Sequence, residues 1–269
     1  MPRFSANLAL LWSEIPFLER FAAAAKAGFD AVEYLFPYSF EPEDLERRLR
    51  ENGLQQDLFN LPAGDFDGGE RGSANDPSRR DEFREGVERA LRYADALGCR
   101  KLNCLAGLDL VSVPWEDQFE CLVENLAHAA ARIGADGRTL MFEMLNTKDT
   151  PGFFVGSFPL VERILDGVQD PHLRFQCDLY HLQRSNGDLV RAIEFLGARI
   201  GHYQIADAPD RHEPGTGEIA YPYVFRAIDR TGYEGFIGLE YRPSGATDES
   251  FAWIEAYGYE RGGRQGVRP

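Results

Sequence analysis

The sequence predicts a single (β/α)₈ barrel, and three observations carry that prediction. Eight short apolar, β-rich runs alternate with longer amphipathic stretches along the chain. The 269 residues match one barrel of about 250 residues with little remainder. Four glycines, Gly28, Gly53, Gly98 and Gly232, each stand between a helical stretch and the strand-like run after it, where a left-handed helix stop is wanted.

The strand-like runs cover residues 4–8, 31–36, 54–59, 101–105, 139–145, 173–178, 200–206 and 236–241. Most are nearly continuous in apolar residues, as parallel strands covered on both faces are. The helical stretches between them are 15–27, 42–52, 80–97, 115–133, 159–168, 188–198, 221–231 and 248–257, with apolar positions near a 3.6-residue period. No GxGxxG follows the first run, so a dinucleotide-binding doubly wound sheet has no support. One barrel over residues 1–260 is expected, with 261–269, rich in Gly and Arg, as a frayed tail.

Composition narrows the function. A hydrophobic fraction of 43% supplies a core, and a formal charge of −15 excludes a basic nucleic-acid-binding surface. That charge repels anionic substrates at long range, so an acid substrate needs a local cation. The four cysteines, Cys99, Cys104, Cys121 and Cys177, form no CxxC pair and read as reduced structural thiols. Residues 1–11 are too short for a membrane span and do not look like a secretory signal, which points to the cytoplasm.

In a barrel, chemistry sits at the C-terminal ends of the strands. Glu143, Asp178, Gln204 and Glu240 fall at or near the ends of the last four runs. Carboxylates converging without a counter-ion would lose their charges, and a divalent cation resolves the conflict. All-oxygen ligation favours Mg²⁺ or Mn²⁺ over zinc. The bland alternative is that each acid pairs separately with an Arg or faces solvent. His181 would project from the sixth loop toward the same mouth. His202 shares a strand face with Gln204 by the period-2 rule, as a site residue or as a satisfied core histidine. The long seventh loop carries Arg211, a candidate cation for a substrate carboxylate. The loop after the third run offers Glu70 and Arg71, which contact substrate or only brace the loop.

Several motifs resemble the hydroxypyruvate isomerase family. They are Pro2-Arg3-Phe4-Ser5-Ala6-Asn7-Leu8, Asn60-Leu61-Pro62-Ala63-Gly64-Asp65, Asp178-Leu179-Tyr180-His181 and His202-Tyr203-Gln204-Ile205-Ala206-Asp207. Glu213-Pro214-Gly215-Thr216-Gly217-Glu218-Ile219 and Gly238-Leu239-Glu240-Tyr241 complete the set. The resemblance spans about residues 2–253 and implies a xylose-isomerase-like barrel. It also implies a metal on Glu143, Asp178, Gln204 and Glu240, with Glu143 and Glu240 moving protons and His181 and Arg211 orienting substrate. Where sugar 3-epimerase relatives have a ligand His, this sequence has Gln204, which follows the hydroxypyruvate isomerase pattern.

The implied reaction interconverts hydroxypyruvate and 2-hydroxy-3-oxopropanoate (tartronate semialdehyde) through an enediolate. A 2-oxo-tetronate isomerase or ketose 3-epimerase on the same site is the alternative, since Phe59 stands where many hydroxypyruvate isomerases have His. A metal-dependent phosphodiesterase would need more ligands than five histidines supply. The expected partner is therefore a small hydroxy-carbonyl acid or sugar, with neither nucleic acid nor membrane. Homo-oligomerisation is left open.

Overall fold

A computed structural model of the chain describes residues 2–262. Eight parallel strands close on themselves in sequence order. They are β1 (Arg3–Asn7), β2 (Ala31–Glu33), β3 (Gln55–Asn60), β4 (Lys101–Cys104), β5 (Thr139–Glu143), β6 (Leu173–Asp178), β7 (Ile200–Ile205) and β8 (Phe236–Leu239). Closure is made where β1 pairs with β8, Ser5 opposite Gly238. Each predicted run holds a strand, and most strands end one to three residues earlier, because the last apolar residues turn into the loops.

Helices α2 (Pro42–Asn52) and α3 (Arg80–Leu97) coincide with the predicted stretches. Both end on a left-handed glycine, Gly53 at φ 62° and Gly98 at φ 62°, a conformation that a Cβ would penalise. The helices α4 (Trp115–Gly134), α5 (Phe158–Gly167), α7 (Leu189–Leu196) and α8 (Tyr221–Arg230) shift by at most two residues at either end. The first predicted helix is shorter than expected. A 3₁₀ turn over Phe17–Glu19 follows Pro16, and only then comes α1 (Arg20–Lys26). The last predicted helix likewise divides into a 3₁₀ turn, Thr247–Phe251, and α9 (Ala252–Ala256).

One helix was not expected from the sequence. Directly after β6 the chain enters α6 (Leu179–Ser185), capped by the Asp178 side chain, which accepts from the amides of Tyr180 and His181. A seven-residue helix between a strand and the longer α7 gives no clear 3.6-residue signature of its own. The tail expected over 261–269 lies mostly outside the described residues. Of its described part, Arg261 is tied to the Ala27 carbonyl at 3.2 Å.

Two layers of side chains fill the fold. Apolar groups under the helices form the core, with all four cysteines buried and free. Inside the barrel the strands instead present polar groups. On β6 and β7, Phe175, Cys177, Tyr203 and Ile205 face the core, whereas Gln176, Asp178, His202 and Gln204 face the barrel interior. Among the described residues no helix is long and apolar enough to cross a membrane.

Between β1 and the last two helices the core is aromatic. Phe225 meets Phe4, Tyr221, Trp253 and Tyr259 at centroid distances of 5.9, 5.3, 6.1 and 5.3 Å. It is fully buried, so Phe225→Ala removes the ring and leaves a cavity that four neighbours cannot close. The expected destabilisation is about 3–5 kcal/mol. Denaturant unfolding would read it as a lower midpoint at unchanged slope.

Candidate active site

The four predicted residues do converge. Glu143 ends β5, Asp178 ends β6, Gln204 is the penultimate residue of β7 and Glu240 follows β8 directly. All four are buried at the C-terminal mouth. Arg211 reaches them from the loop 206–220, its Nη2 2.9 Å from Glu240 Oε2 and 3.4 Å from Asp178 Oδ2. The sequence suggested Arg211 as a substrate cation, and the structure shows it first compensating two of the site's own carboxylates. Its guanidinium also lies 5.1 Å from the centre of the Tyr180 ring.

Glu143 is held by two amides. Asn103 Nδ2 donates to its Oε1 at 2.6 Å and Gln176 Nε2 to its Oε2 at 3.2 Å. Both amides leave their own oxygen buried without a hydrogen-bond partner. Each orphan acceptor costs about 1–3 kcal/mol, so the arrangement serves Glu143 rather than stability.

The carboxylates respond differently to this environment. Burial and the Asp178 charge push Glu143 up to about 7, against the pull of Asn103, Arg211 and Gln176. Burial also drives Glu240 well above the usual carboxylate range, with Arg211 opposing and Asp178 and Glu143 adding to the rise. For Asp178 burial works the same way, but His181, Arg211 and hydrogen bonds outweigh it and hold the group low. One mouth thus holds carboxylates pushed in opposite directions, a mark of sites that move protons.

His181 stands in the first turn of α6, its Nε2 3.6 Å from Asp178 Oδ2. Its Nδ1 lies 3.0 Å from the Asn146 amide nitrogen and 2.8 Å from Asn146 Nδ2. Both are donors, so Nδ1 accepts and Nε2 carries the proton toward the mouth. Burial lowers its pKa to about 4, despite the raising effect of Asp178. Asn146 is itself anchored on Asp149, which also accepts from the Tyr180 hydroxyl.

Three predicted contacts fall elsewhere. His202 does share the Gln204 face, but it is fully buried, with Nε2 2.8 Å from Glu33 Oε2 and Nδ1 3.3 Å from Lys101 Nζ. It is the satisfied core histidine of the two readings. Glu70 pairs with Arg79 at 2.5 Å and accepts from the Asp65 amide. Arg71 donates to the carbonyls of Phe66 and Glu70 and lies over the Phe66 ring at 4.0 Å. Both brace their own loop.

The residues that sequence reasoning missed lie deeper in the barrel. Glu33, on β2, is fully buried beneath Gln204. Glu33, Asp57 and His202 are the group of metal-type ligands drawn within 4.8 Å of one another among the described residues. Their geometry could hold a metal ion, yet Lys101 Nζ already stands there, 2.8 Å from Asp57 Oδ1. A charged residue inside the apolar run 31–36 was the available signal, because such a group needs partners.

The donors at the mouth, three buried carboxylates and an amide oxygen, suit a hard divalent cation in kind, and one guanidinium balances only part of the acids' charge. The three carboxylates are not drawn within 4.8 Å of one another as Glu33, Asp57 and His202 are.

The match to known proteins decides the family. Residues 21–257 match the family model described as a xylose isomerase-like TIM barrel. The chain belongs to this family. Its relatives include a hydroxypyruvate isomerase of Escherichia coli, 44% identical over 257 residues, covering 96% of this chain and all of that protein. A 2-oxo-tetronate isomerase of Cupriavidus necator is also 44% identical, over 96% of this chain and 99% of that protein. Among solved structures, an AP endonuclease, family 2, from Brucella melitensis superposes with a TM-score of 0.90 at 44% identity, covering 96% of this chain and 99% of that one. An L-ribulose 3-epimerase shares the fold, with a TM-score of 0.74 at 24% identity. The curated relatives named here are isomerases, and this family member is an enzyme of that class.

Asp207 holds the loop that carries Arg211. Its carboxylate accepts from the amides of Ala208 (2.9 Å), Gly215 (2.8 Å) and Ile219 (3.0 Å), and Arg211 itself sits at φ 60°. Asp207→Ala orphans three amides and frees the loop. Hydrogen exchange across 208–219 is expected to quicken by at least about tenfold, given a loss of about 1.5 kcal/mol or more.

Proposed function

We propose that the chain isomerises a short hydroxy-carbonyl acid, with hydroxypyruvate and 2-hydroxy-3-oxopropanoate as the leading pair. The observation that carries this reading is the pair of buried glutamates Glu143 and Glu240, set at strand ends beside Asp178 and Gln204 in a chain 44% identical to a hydroxypyruvate isomerase along that protein's full length. The equal identity to a 2-oxo-tetronate isomerase supports the second reading, the same chemistry on a substrate one carbon longer.

Glu143, Asp178, Gln204 and Glu240 would hold a divalent cation, Mg²⁺ or Mn²⁺. When bound, it supplies Lewis-acid stabilisation of negative charge on neighbouring substrate oxygens. One glutamate takes a proton from the hydroxymethyl carbon, and the C–H electrons move into an enediolate. A proton returns to the adjacent carbon, the former carbonyl carbon, forming the new C–H bond, while the hydroxyl proton passes from one oxygen to the other. Burial pushes Glu143 up to about 7 and raises Glu240, so each holds a proton more readily than a solvated carboxylate does.

His181 Nε2–H is placed to donate to a substrate oxygen, because the Asn146 amide holds the ring in that tautomer. Arg211 provides the local positive charge that an anionic substrate needs against the overall −15. Its Nε and Nη2 face Glu240 and Asp178, and Nη1 lies outside those bonds, where it would meet a substrate carboxylate. The four mouth side chains are buried, which would limit uncontrolled protonation of an enediolate by solvent.

Two tests follow from these roles. Glu240→Gln is expected to lower kcat about 10²–10⁴-fold with Mn²⁺ still bound, and turnover near wild type would sink the acid–base role. Treatment with EDTA should abolish turnover, and added Mg²⁺ or Mn²⁺ should restore it. The ratio of kcat/KM for hydroxypyruvate and 2-oxo-tetronate, measured side by side, chooses between the two substrates.

A further inference from the structure

We infer that Glu33 is a positioning residue, holding the Gln204 side-chain amide so that its oxygen, and not its NH₂, is available at the metal site. The inference rests on the reading that Glu143, Asp178, Gln204 and Glu240 hold a divalent cation. Gln204 differs from the other three in one respect. A carboxylate presents an oxygen whichever way it turns, but an amide rotated by half a turn presents a nitrogen with no lone pair for a hard cation.

Glu33 removes that ambiguity. Gln204 Nε2 donates to Glu33 Oε1 at 2.7 Å, and a carboxylate accepting from every neighbour offers nothing for the amide oxygen to bind. On the other side Gln176 Nε2 donates to Gln204 Oε1 at 2.7 Å, which again requires oxygen there. One carboxylate below and one amide beside thus select a single orientation. One lone pair of Oε1 remains for the mouth.

The environment of Glu33 is built for this acceptor role. Ser5 Oγ (3.1 Å), Asn7 Nδ2 (3.0 Å) and His202 Nε2 (2.8 Å) complete a set of four donors with Gln204. The His202 tautomer is set in turn, since Lys101 Nζ approaches Nδ1 at 3.3 Å and leaves the ring proton on Nε2. Across the barrel β8 makes room. A Cβ on Gly238 would lie 2.3 and 2.4 Å from the two Glu33 oxygens, so a side chain there would displace the Glu33 carboxylate. A fully buried carboxylate is costly to maintain, and hydrophobic groups would fill the same volume more stably.

The test is Mn²⁺ titration of the full chain, read by the EPR signal of free Mn²⁺. Glu33→Gln offers the amide at 204 both a donor and an acceptor, and affinity should fall about 10–100-fold, as with other outer partners of metal ligands. Glu33→Gln/Gln204→Glu reverses the same hydrogen bond and puts a carboxylate, with no wrong face, at 204. It disturbs Ser5, Asn7 and His202 as the single variant does, yet should recover most of the lost affinity. Wild-type affinity in Glu33→Gln overturns the inference, and so does equal weakness in the single and double variants. Should Glu33→Gln not fold, Glu33→Asp withdraws the acceptor while keeping the charge. It should weaken Mn²⁺ binding, and unchanged affinity overturns the inference. Failure of the wild-type chain to bind Mn²⁺ saturably overturns the metal reading itself, and this inference with it.

Discussion

Carboxylates shut away from water keep their charge only if something nearby compensates it, and the interior of this barrel is organised around that requirement. The compensation comes in two tiers. In the lower tier Lys101 serves Asp57, and four donors gather on Glu33. In the upper tier Arg211 serves Asp178 and Glu240, while the amides of Asn103 and Gln176 serve Glu143. In the lower tier Asp57 Oδ2 alone of the four carboxylate oxygens has no hydrogen-bond partner. In the upper tier two of the acids remain pushed upward and two amide oxygens have no partner.

Parallel closure explains why two tiers can exist at all. Consecutive strands present alternate residues inward, so Gln176 and Asp178, like His202 and Gln204, stack one polar level beneath another. Gln176 and Gln204 join the levels laterally, passing hydrogen bonds from β5 across β6 and β7 to β2. The outer faces of the same strands carry Phe142, Phe175, Tyr203 and Ile205 into the core. Stability therefore comes from outside the sheet and chemistry from inside it.

Much of this was legible in the sequence, for a definite reason. A strand end is found from local periodicity, and the rule that barrels act at C-terminal strand ends then places Glu143, Asp178, Gln204 and Glu240 without any tertiary information. Arg211 and His181 followed from loop length and from distance to those ends. The lower tier was not legible in this way. Whether His202 faces substrate or Glu33 depends on its depth in the barrel, which period-2 alternation does not report. Glu33 pairs with residues 26 to 171 positions away, beyond any window of local pattern. Glu70 and Arg71 showed the converse: a charged loop looks functional until the partner, Arg79 for one and the Phe66 ring for the other, is seen.

Asp178 belongs to two structures at once, and this limits its coordination. Its Oδ1 accepts from the amides of Tyr180 and His181 and so caps α6, the helix that carries His181. Only Oδ2 is left facing Arg211. A cation held at the mouth would meet Asp178 through the oxygen that does not cap the helix, since drawing on both would loosen α6 and the imidazole it carries.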